Sequence, residues 1–474
     1  MKVLLVSAEL SPFAKVGGLA DVAAALPPAL QTLGVEVAVV TPKYRGVADK
    51  TDLRQVAEFP VVVGEEELTC TAFQGTIPGS DVPVYFLGHD PYFDRPGIYG
   101  EGGEEYPDSL ARFVFLSRGV LALCGELELS PAVIHANDWH TALVPVYLAA
   151  GEGPPRTGSM LTIHNLAYQG VFPKGQAPLT GLTGQGLSPV ERGEQINLLQ
   201  GGIRKAELLT TVSPTYAREI LEQGAGLEGE LRRRADSLVG VLNGVDYGVW
   251  DPASDPHLWA SYSADDPAGK EENKRQLQQE LGLTVEARTP LVGMISRLAE
   301  QKGFDIVIPT FERMLSLGIQ FVVLGTGNPR YEDYFREAAR RHPGQVAALI
   351  TFSESWAHRI EAGCDMFLMP SRFEPCGLNQ MYSLRYGTVP VVRATGGLAD
   401  TVQEYDPARG TGNGFTFQDY DPDSLLAAVR RAVDAYRDHP AAWRELMERG
   451  MREDHSWTAA AGDYLACYRR LCQG

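Results

Sequence analysis

A five-residue sequence occurs twice in the chain, and the residues around its first copy are typical of an anion-binding site. Gly17-Gly18-Leu19-Ala20-Asp21 recurs letter for letter at Gly396-Gly397-Leu398-Ala399-Asp400. The first copy lies between a short apolar run and a helical segment, directly after Lys15 and Val16. A strand, a glycine turn and a helix together direct backbone N–H groups and the positive helix end at an anion. Lys15, Gly17 and Gly18 are therefore candidate phosphate-binding residues, and a plain tight turn is the alternative.

Two cations follow an apolar run in the second half of the chain. Arg297 and Lys302 come after the predicted strand Leu291–Ile295 and before a predicted helix from about Phe304. Cations are unfavourable at a helix N-terminus unless an anion compensates them. Arginine can bind a diphosphate through two parallel hydrogen bonds. We therefore favour a diphosphate site over two solvated side chains.

An acidic residue and a glycine turn follow another predicted strand, Met366–Met369. Glu374 lies in this turn, and the backbone of Cys376, Gly377 and Leu378 opens the next helix. A carboxylate at this position can accept hydrogen bonds from sugar hydroxyls or stabilise positive charge that develops on a sugar. The residues alone do not separate this role from that of an acid that stabilises the helix dipole.

Histidines and amides end predicted strands in the first half of the chain. They lie in His135-Ala136-Asn137-Asp138-Trp139-His140, in Thr162-Ile163-His164-Asn165 and in the turn Asn243-Gly244-Val245-Asp246. Such side chains at strand ends can line a sugar pocket. A metal site is disfavoured because His135 and His140 lack the spacing of a helical zinc motif and have no third ligand nearby. Structural histidines with satisfied hydrogen bonds are the alternative.

Two further patterns are weaker. Asp419-Tyr420-Asp421-Pro422-Asp423 has spaced carboxylates but lacks the glycine and the distal glutamate of an EF-hand loop, so we favour a helix cap over a calcium site. Gly325-Thr326-Gly327 begins like a dinucleotide-binding fingerprint, but Arg330 stands where the third glycine is needed.

The elements that must position these residues are short apolar strands alternating with helical segments. This pattern is typical of a parallel sheet covered on both faces, and 474 residues are too many for one core. The pattern breaks down at residues 170–193, which we predict to be a lid or an acceptor-facing loop, with plain disorder as the alternative. Residues 250–267 are turn-rich and form the best linker. We predict an α/β protein with two doubly wound, Rossmann-like domains, residues 1–250 and 251–456, facing each other across a cleft.

The composition argues against several classes of protein. The net charge is −18 without a lysine/arginine-rich run, which disfavours nucleic acid or an anionic membrane as a partner. No apolar segment approaches the roughly 20 residues of a membrane helix, and the N-terminal apolar run is too short for a signal peptide. The six cysteines are scattered without a C-x-x-C pair. A cytoplasmic protein fits these features best.

Taken together and in this order, the motifs resemble those of the bacterial glycogen synthases and the plant starch synthases. The resemblance runs almost end to end. Besides the stretches around Lys15, His135, His164, Asn243 and Glu374, it includes Thr211-Val212-Ser213-Pro214-Thr215-Tyr216, Ser296-Arg297-Leu298, Gln301-Lys302-Gly303 and Thr395-Gly396-Gly397-Leu398-Ala399-Asp400-Thr401-Val402.

The resemblance implies a two-domain GT-B glycosyltransferase. Such an enzyme would transfer glucose from ADP-glucose to the non-reducing end of glycogen or another α-1,4-glucan and retain the anomeric configuration. It would need no metal or other cofactor. The helical segment at residues 457–474 would cross back and pack on the first domain.

The resemblance also implies roles for individual residues. The diphosphate would be neutralised by Arg297 and Lys302, the transferred glucose held by Glu374, and the adenine contacted by Phe352. The implied catalytic residues are Glu374, His164, Lys302 and Arg297, and the implied donor-binding residues are Lys15, Gly17, Gly18, Asp138, Asn243, Phe352, Cys376, Gly377, Leu378 and Thr395. Asn379 departs from the threonine that relatives often have, and would alter donor affinity if it touched phosphate.

Two other functions compete with this interpretation. A related GT-B transferase would use UDP-glucose or make a small glucoside, and a donor comparison separates it. A glucan-binding protein without activity is the other class, although the presence of Lys15, Arg297, Lys302 and Glu374 argues against loss of catalysis.

Overall fold

The computed structural model describes residues 1–473 and divides the chain into two compact units. Unit 1 comprises Met1–Gly244 together with the chain from Trp457, and unit 2 comprises Val245–Ser456. The first boundary therefore follows Gly244, whereas the sequence placed it at residue 250. Each unit has its own sheet and its own buried core.

Unit 1 is organised around a nine-stranded sheet in the order β14-β13-β9-β8-β1-β2-β5-β4-β3. The strands from β14 to β5 are paired in parallel, and β4 and β3 are antiparallel. The strands of unit 1 are β1 (Lys2–Val6), β2 (Glu36–Pro42), β3 (Arg54–Val63), β4 (Glu66–Thr76), β5 (Pro83–Gly88), β6 (Gly100–Glu101), β7 (Glu104–Glu105), β8 (Val133–Asn137), β9 (Gly158–Ile163), β10 (Val171–Pro173), β11 (Glu191–Arg192), β12 (Gln195–Asn197), β13 (Leu208–Thr211) and β14 (Leu238–Gly240).

The helices of unit 1 include one from the end of the chain. They are α1 (Gly18–Thr32), α2 (Asp90–Phe93), α3 (Ser109–Glu126), α4 (Leu143–Ala149), α5 (Leu198–Lys205), α6 (Pro214–Glu219), α7 (Glu228–Arg233) and α16 (Trp457–Gln473). The apolar residues of α16 pack on this unit, and Tyr468 is fully buried with its hydroxyl 2.8 Å from Nδ1 of His135.

The β3–β4 hairpin was not predicted from the sequence. Its side chains alternate between exposed and buried, the pattern of a sheet with one face in water, and it lacks the continuous apolar runs that mark the buried parallel strands. β3 is the edge strand of the sheet and contains Pro60, which lacks the N–H group that a central strand must donate.

Residues 170–193 have regular structure, unlike the irregular loop that their composition predicted. They contain β10, β11 and two 3-10 turns, and with β12 the strands form a small sheet in the order β10-β12-β11. Phe172 lies 5.8 Å from the ring of Trp139, and the Tyr147 hydroxyl donates to the carbonyl oxygen of Thr180. Contacts with the body of unit 1 therefore fix this segment.

Unit 2 contains a six-stranded, entirely parallel sheet in the order β17-β16-β15-β18-β19-β20. Its strands are β15 (Leu291–Ile295), β16 (Gln320–Leu324), β17 (Val346–Leu349), β18 (Met366–Met369), β19 (Val389–Arg393) and β20 (Phe415–Phe417). Its helices are α8 (Ala268–Glu280), α9 (Phe304–Leu315), α10 (Pro329–Arg341), α11 (Glu354–Gly363), α12 (Asn379–Arg385), α13 (Gly396–Thr401), α14 (Pro422–Asp438) and α15 (Pro440–Arg452). Asp421 caps α14 by accepting the amides of Asp423 and Ser424, the role that the sequence favoured over calcium binding.

The predicted linker, residues 250–267, belongs to the packed body of unit 2. The Trp250 ring stacks between His358 at 3.8 Å and Tyr382 at 3.9 Å. The buried carboxylate of Asp255 accepts hydrogen bonds from the Tyr386 hydroxyl and pairs with His358. Its many turns therefore belong to an irregular segment that is anchored to unit 2 through a few packed side chains, Trp250 and the buried Asp255 among them.

Within residues 1–473, no helix is both long and apolar enough to cross a membrane. Over the same residues, no cluster of histidine, cysteine, aspartate and glutamate has three or more members placed to hold a metal ion. All six cysteines are free thiols.

Candidate functional site

In unit 2, the loops that follow β15 and β18 bring Lys302 and Glu374 together. These strands are hydrogen-bonded neighbours, with Val292 paired to Met366, so their carboxyl ends share one edge of the sheet. Nζ of Lys302 lies 2.6 Å from Oε2 of Glu374, which also accepts a hydrogen bond from Oγ of Ser371 at 3.0 Å. The Glu374 side chain is 8% exposed and that of Lys302 is 20% exposed, so water screens this pair only partly.

Arg297 differs from Lys302 because its charge is not compensated. The residue is exposed, and its guanidinium forms no ion pair or hydrogen bond with any residue from 1 to 473. Phe352 follows β17, which is separated from β15 by β16, and is 87% exposed. The same edge of the sheet thus presents an unpaired cation and an uncovered aromatic ring.

The second copy of the repeated motif supports the Glu374 loop. The amide of Gly397 donates to the carbonyl oxygens of Glu374 and Pro375 at 3.1 and 3.2 Å. Gly396 has a φ of +46°, and a Cβ atom there would overlap the Glu374 carbonyl oxygen. This glycine pair therefore permits a close approach of two backbones.

Two other features noted in the sequence of unit 2 also hold its loops in place. Gly325 and Gly327 pack against the backbone around Arg297, and the Leu298 amide donates to the carbonyl oxygen of Thr326 at 2.9 Å. The glycines that resemble a dinucleotide-binding fingerprint therefore allow two loops of unit 2 to come into contact. The Asn379 side-chain amide donates to the carbonyl oxygen of Ile295 at 2.9 Å. Asn379, where relatives often have threonine, thus connects the start of α12 to the end of β15.

The same loop contains the remaining predicted backbone positions. Cys376 is buried, Gly377 has a φ of +71°, and Leu378 precedes the first residue of α12. Thr395 is buried at the start of α13.

In unit 1, the first copy of the motif has an internal partner that the sequence did not reveal. The amides of Val16 and Gly17 donate to Oε2 of Glu9 at 2.7 and 2.9 Å. Nζ of Lys15 lies 2.7 Å from Oδ1 of Asp21. The Gly17 amide, which the sequence assigned to a bound anion, is thus bonded to a carboxylate of the chain itself, while Gly18 begins α1.

Asp138 and His164 lie together at the carboxyl ends of β8 and β9. Oδ1 of Asp138 accepts the His164 amide at 2.7 Å, and Nε2 of His164 lies 2.8 Å from Oδ1 of Asn137. Asp138 has a φ of +56° and a ψ of −176°, a conformation that non-glycine residues rarely adopt. Backbone strain of this kind is often found at functional sites.

Burial shifts the pKa values of Asp138 and His164. It raises the pKa of Asp138 to about 7, against the opposing effect of the backbone amides of His164 and Asn165. It lowers the pKa of His164 to about 3, so this imidazole is neutral at physiological pH. Asp138 can therefore change charge near neutral pH, and His164 serves as a neutral hydrogen-bonding group.

Of the other polar residues near these strand ends, some have their hydrogen bonds satisfied within the protein and others do not. His135 is enclosed between Tyr468 and Thr162, as expected of a structural histidine. The Oδ1 atom of Asn243 and the Nδ1 atom of His140 are buried and have no hydrogen-bond partner within residues 1–473. Buried polar atoms are rarely left unpaired, so each has unused capacity for a ligand or water.

Similarity to known proteins covers both units. The starch synthase catalytic domain family matches residues 2–233, and the glycosyl transferases group 1 family matches residues 278–447. A glycogen synthase from Anaeromyxobacter dehalogenans strain 2CP-C is 50% identical over 99% of this chain and 100% of its own length. A glycogen synthase from Syntrophotalea carbinolica is 46% identical over 100% of this chain and 99% of its own.

The chain belongs to the glycogen synthase and starch synthase family. This confirms the resemblance seen in the motifs, and with it the prediction of a GT-B glycosyltransferase. The catalytic domain of Arabidopsis thaliana starch synthase IV, solved with ADP and acarbose, has a TM-score of 0.91 and 37% identity, covering 100% of this chain and 99% of that one. Sucrose-phosphate synthase from Thermosynechococcus elongatus, with a TM-score of 0.61 and 16% identity over 99% and 98% of the two chains, shares the fold.

In this family member, sequence reasoning missed Glu9, Tyr99 and Ser371. The Tyr99 hydroxyl donates to Oε1 of Glu9 at 2.7 Å, and its ring stacks on His140 at 4.8 Å. One signal was present in the sequence: Glu9 is an acid only three residues after the buried strand β1. Tyr99 is 90 residues further along and has no comparable signal.

Proposed function

We propose that this protein transfers glucose from ADP-glucose to the non-reducing end of an α-1,4-glucan such as glycogen, with retention of the anomeric configuration and release of ADP. The observation that carries the proposal is the arrangement of Lys302, Glu374 and the unpaired Arg297 at one edge of the unit 2 sheet, in a chain half identical to glycogen synthases. A cytoplasmic location agrees with its six unpaired cysteines.

The cations of unit 2 suit a departing diphosphate. As the bond between C1 of glucose and the β-phosphate oxygen breaks, negative charge grows on that oxygen. Arg297 can bind the diphosphate through two N–H groups, and Lys302 adds a second positive charge that is already fixed in position. The exposed Phe352 ring offers a surface for adenine. We therefore assign the nucleotide to unit 2.

Glu374 has a different task because it cannot bind phosphate. Its buried carboxylate is held by Lys302 and Ser371 and keeps further acceptor capacity. We assign it to the hydroxyls of the transferred glucose, with the Cys376, Gly377 and Leu378 backbone beside it. Developing positive charge on the sugar would also be stabilised by this carboxylate.

Polar residues of unit 1 are a second group of sugar-binding candidates. His164 is a neutral donor and acceptor, Asp138 is a nearby carboxyl, and Asn243 has an unused acceptor. Lys15, Gly17 and Gly18 stay candidate donor-binding residues, although Lys15 and the Gly17 amide already have partners.

We propose a front-face displacement for the chemical step. The acceptor O4 bonds to C1 on the face from which the phosphate oxygen leaves, and the O4 proton passes to that oxygen. The scheme needs strong stabilisation of the leaving group rather than a carboxylate nucleophile, unlike a retaining glycosidase with paired carboxylates. A trapped covalent glucosyl-enzyme would overturn it.

A donor panel tests the proposal directly. Purified protein is incubated with glycogen and radiolabelled ADP-, UDP- or GDP-glucose, and label in precipitated glycogen is measured. We expect kcat/KM to be at least about tenfold higher for ADP-glucose, a difference of about 1.4 kcal/mol. A higher value for UDP-glucose would overturn the donor assignment. Absence of transfer from every donor would favour a glucan-binding protein without activity.

The stereochemistry is tested on the product. Maltoheptaose extended by one glucose is examined by proton NMR for the anomeric coupling of the new linkage. An α-linkage formed from the α-linked donor is expected, and a β-linkage would exclude retention.

A further inference from the structure

Tyr168 is an exposed aromatic residue that no part of the proposed mechanism uses. Within residues 1–473, the exposed aromatic side chains are those of Phe352, at 87%, and Tyr168, at 53%. The Tyr168 side chain makes no hydrogen bond and no ring contact with these residues. All other aromatic rings are buried or partly buried, so this exposure needs an explanation.

The backbone that carries Tyr168 is firmly held. Its amide donates to the carbonyl oxygen of Asn165 at 3.2 Å, and the Ala167 amide donates to Oδ1 of Asn165 at 3.0 Å. The two residues after Tyr168 are held as well. The Leu199 amide donates to the carbonyl oxygen of Gln169, and the Leu198 amide donates to that of Gly170. The ring is thus displayed from a fixed turn and is not simply the end of a loose loop.

The turn is also anchored to the polar group at the strand ends. It begins directly after His164, and at its other end Gly170 has a φ of +62° and packs against the Trp139 ring so closely that a Cβ atom would overlap it. Trp139 follows Asp138 in the chain. Tyr168 is therefore mounted between two fixed points, each next to a residue assigned to sugar binding.

The chemistry of the turn indicates a neutral ligand. Residues 164–170, His-Asn-Leu-Ala-Tyr-Gln-Gly, contain no lysine, arginine or acid, and His164 is uncharged at neutral pH. A phosphate would find no cation in this segment, and one aromatic ring is far smaller than a stable protein interface. A glucose ring, with an apolar C–H face and hydroxyls at its rim, matches an aromatic face flanked by amides.

We propose that Tyr168 is a stacking platform for a glucose unit of the α-1,4-glucan acceptor. This inference rests on the proposed function and adds the residue that recognises the acceptor chain. A rigid aromatic ring loses little conformational entropy on binding, because its position is fixed beforehand. The contact is made equally in the ground state and the transition state, so it contributes to acceptor affinity rather than to the chemical step.

Steady-state kinetics with two variants test the inference. For Tyr168→Ala, we expect the KM for maltoheptaose to rise about tenfold, the effect of losing one aromatic contact. The kcat and the KM for ADP-glucose should change less than about twofold. Tyr168→Phe keeps the ring and should restore the KM to within about twofold of the wild type. Val62→Ala, at a site 45% exposed on β3, is the control for loss of an exposed apolar side chain.

Binding in the absence of a donor separates this inference from the proposed function. The affinity for maltoheptaose is measured by calorimetry, and the oligomeric state by light scattering. A weaker affinity in Tyr168→Ala alone supports the platform even if the wild type transfers no glucose. Unchanged affinity and KM, a change confined to the KM for ADP-glucose, or a shift in oligomeric state would each overturn it.

Discussion

The ammonium group of Lys302 lies 2.6 Å from the carboxylate of Glu374. Two residues that the sequence assigned to separate tasks, one for phosphate and one for sugar, are thus a single ion pair. A largely buried carboxylate needs such a partner, and the cation is fixed in position before any ligand arrives. A substitution of Lys302 is therefore expected to affect both activity and stability.

The first prediction concerns Lys302→Gln, which removes the charge and keeps most of the side chain. We expect kcat/KM for ADP-glucose to fall about 100- to 1,000-fold, the usual effect of removing one fixed electrostatic contact from a transition state. Because Glu374 loses its ion-pair partner, the free energy of unfolding should fall by about 1–3 kcal/mol. Initial rates and urea unfolding measure the two effects.

Two controls separate these effects. Lys302→Gln combined with Glu374→Gln removes both charges and should recover much of the stability but none of the activity. Arg313→Ala breaks an exposed pair with Asp423 in the same unit and should change neither. A kcat/KM within twofold of the wild type for Lys302→Gln would remove this lysine from the diphosphate site.

The second prediction uses the two copies of the repeated motif as a matched pair. Gly396→Ala forces a residue with a φ of +46° to carry a Cβ atom that overlaps the Glu374 carbonyl oxygen, whereas a Cβ at Gly17 would meet nothing within 4 Å. Gly396→Ala should therefore displace the Glu374 loop, cost about 2–4 kcal/mol of stability and abolish most activity. Gly17→Ala should cost no more than about 1 kcal/mol.

Thermal unfolding and initial rates on both variants decide this. Equal destabilisation would contradict the unequal roles of the two copies. An active, stable Gly396→Ala enzyme would show that the Glu374 loop does not depend on this close approach.

Sequence periodicity was most informative where parallel strands end. The apolar runs of β15 and β18 were recognisable, and parallel strands end at a common edge, so the grouping of Arg297, Lys302 and Glu374 followed from pattern alone. The direct pairing of Lys302 with Glu374 did not follow, because it depends on side-chain rotamers across 72 residues of sequence.

Long-range contacts explain the remaining differences. The chain turns back through the bridge between Leu10 and Ala14, which lets Glu9 reach the amides of Val16 and Gly17. A helix N-terminus with glycines looks the same in sequence whether its anion is a ligand or a side chain. The regular structure of residues 170–193 was not predicted for a related reason: it depends on packing against residues such as Trp139, not on local periodicity.

The third prediction concerns the packing of α16 on unit 1. Tyr468→Phe removes the hydroxyl that lies 2.8 Å from Nδ1 of His135 and leaves that buried nitrogen unpaired. We expect the free energy of unfolding to fall by about 1–3 kcal/mol. Tyr85→Phe, whose hydroxyl has no hydrogen-bond partner within residues 1–473, should have little effect in the same urea titration. Equal effects of the two substitutions would contradict a specific contact.

The last prediction is a pH dependence of stability that originates at Asp138. Burial raises the pKa of this carboxyl to about 7 in the folded protein, above the value of 3.8 for an unperturbed side chain. Between these two values the folded state binds more protons than the unfolded state, so the free energy of unfolding falls as the pH rises through this range. The contribution is fully present below about pH 4 and is lost above about pH 7, with an upper limit of about 4 kcal/mol.

Asp138→Asn keeps the size of the side chain and an oxygen that accepts the His164 amide, but cannot ionise. Its stability relative to the wild type should therefore increase from pH 4.5 to pH 7.5, as measured by urea unfolding at both values. Asp81→Asn, at an exposed position, is the control for replacing an aspartate by asparagine. If Asp138→Asn shows a constant difference from the wild type, the carboxyl has the same proton affinity in both states and does not titrate near neutral pH.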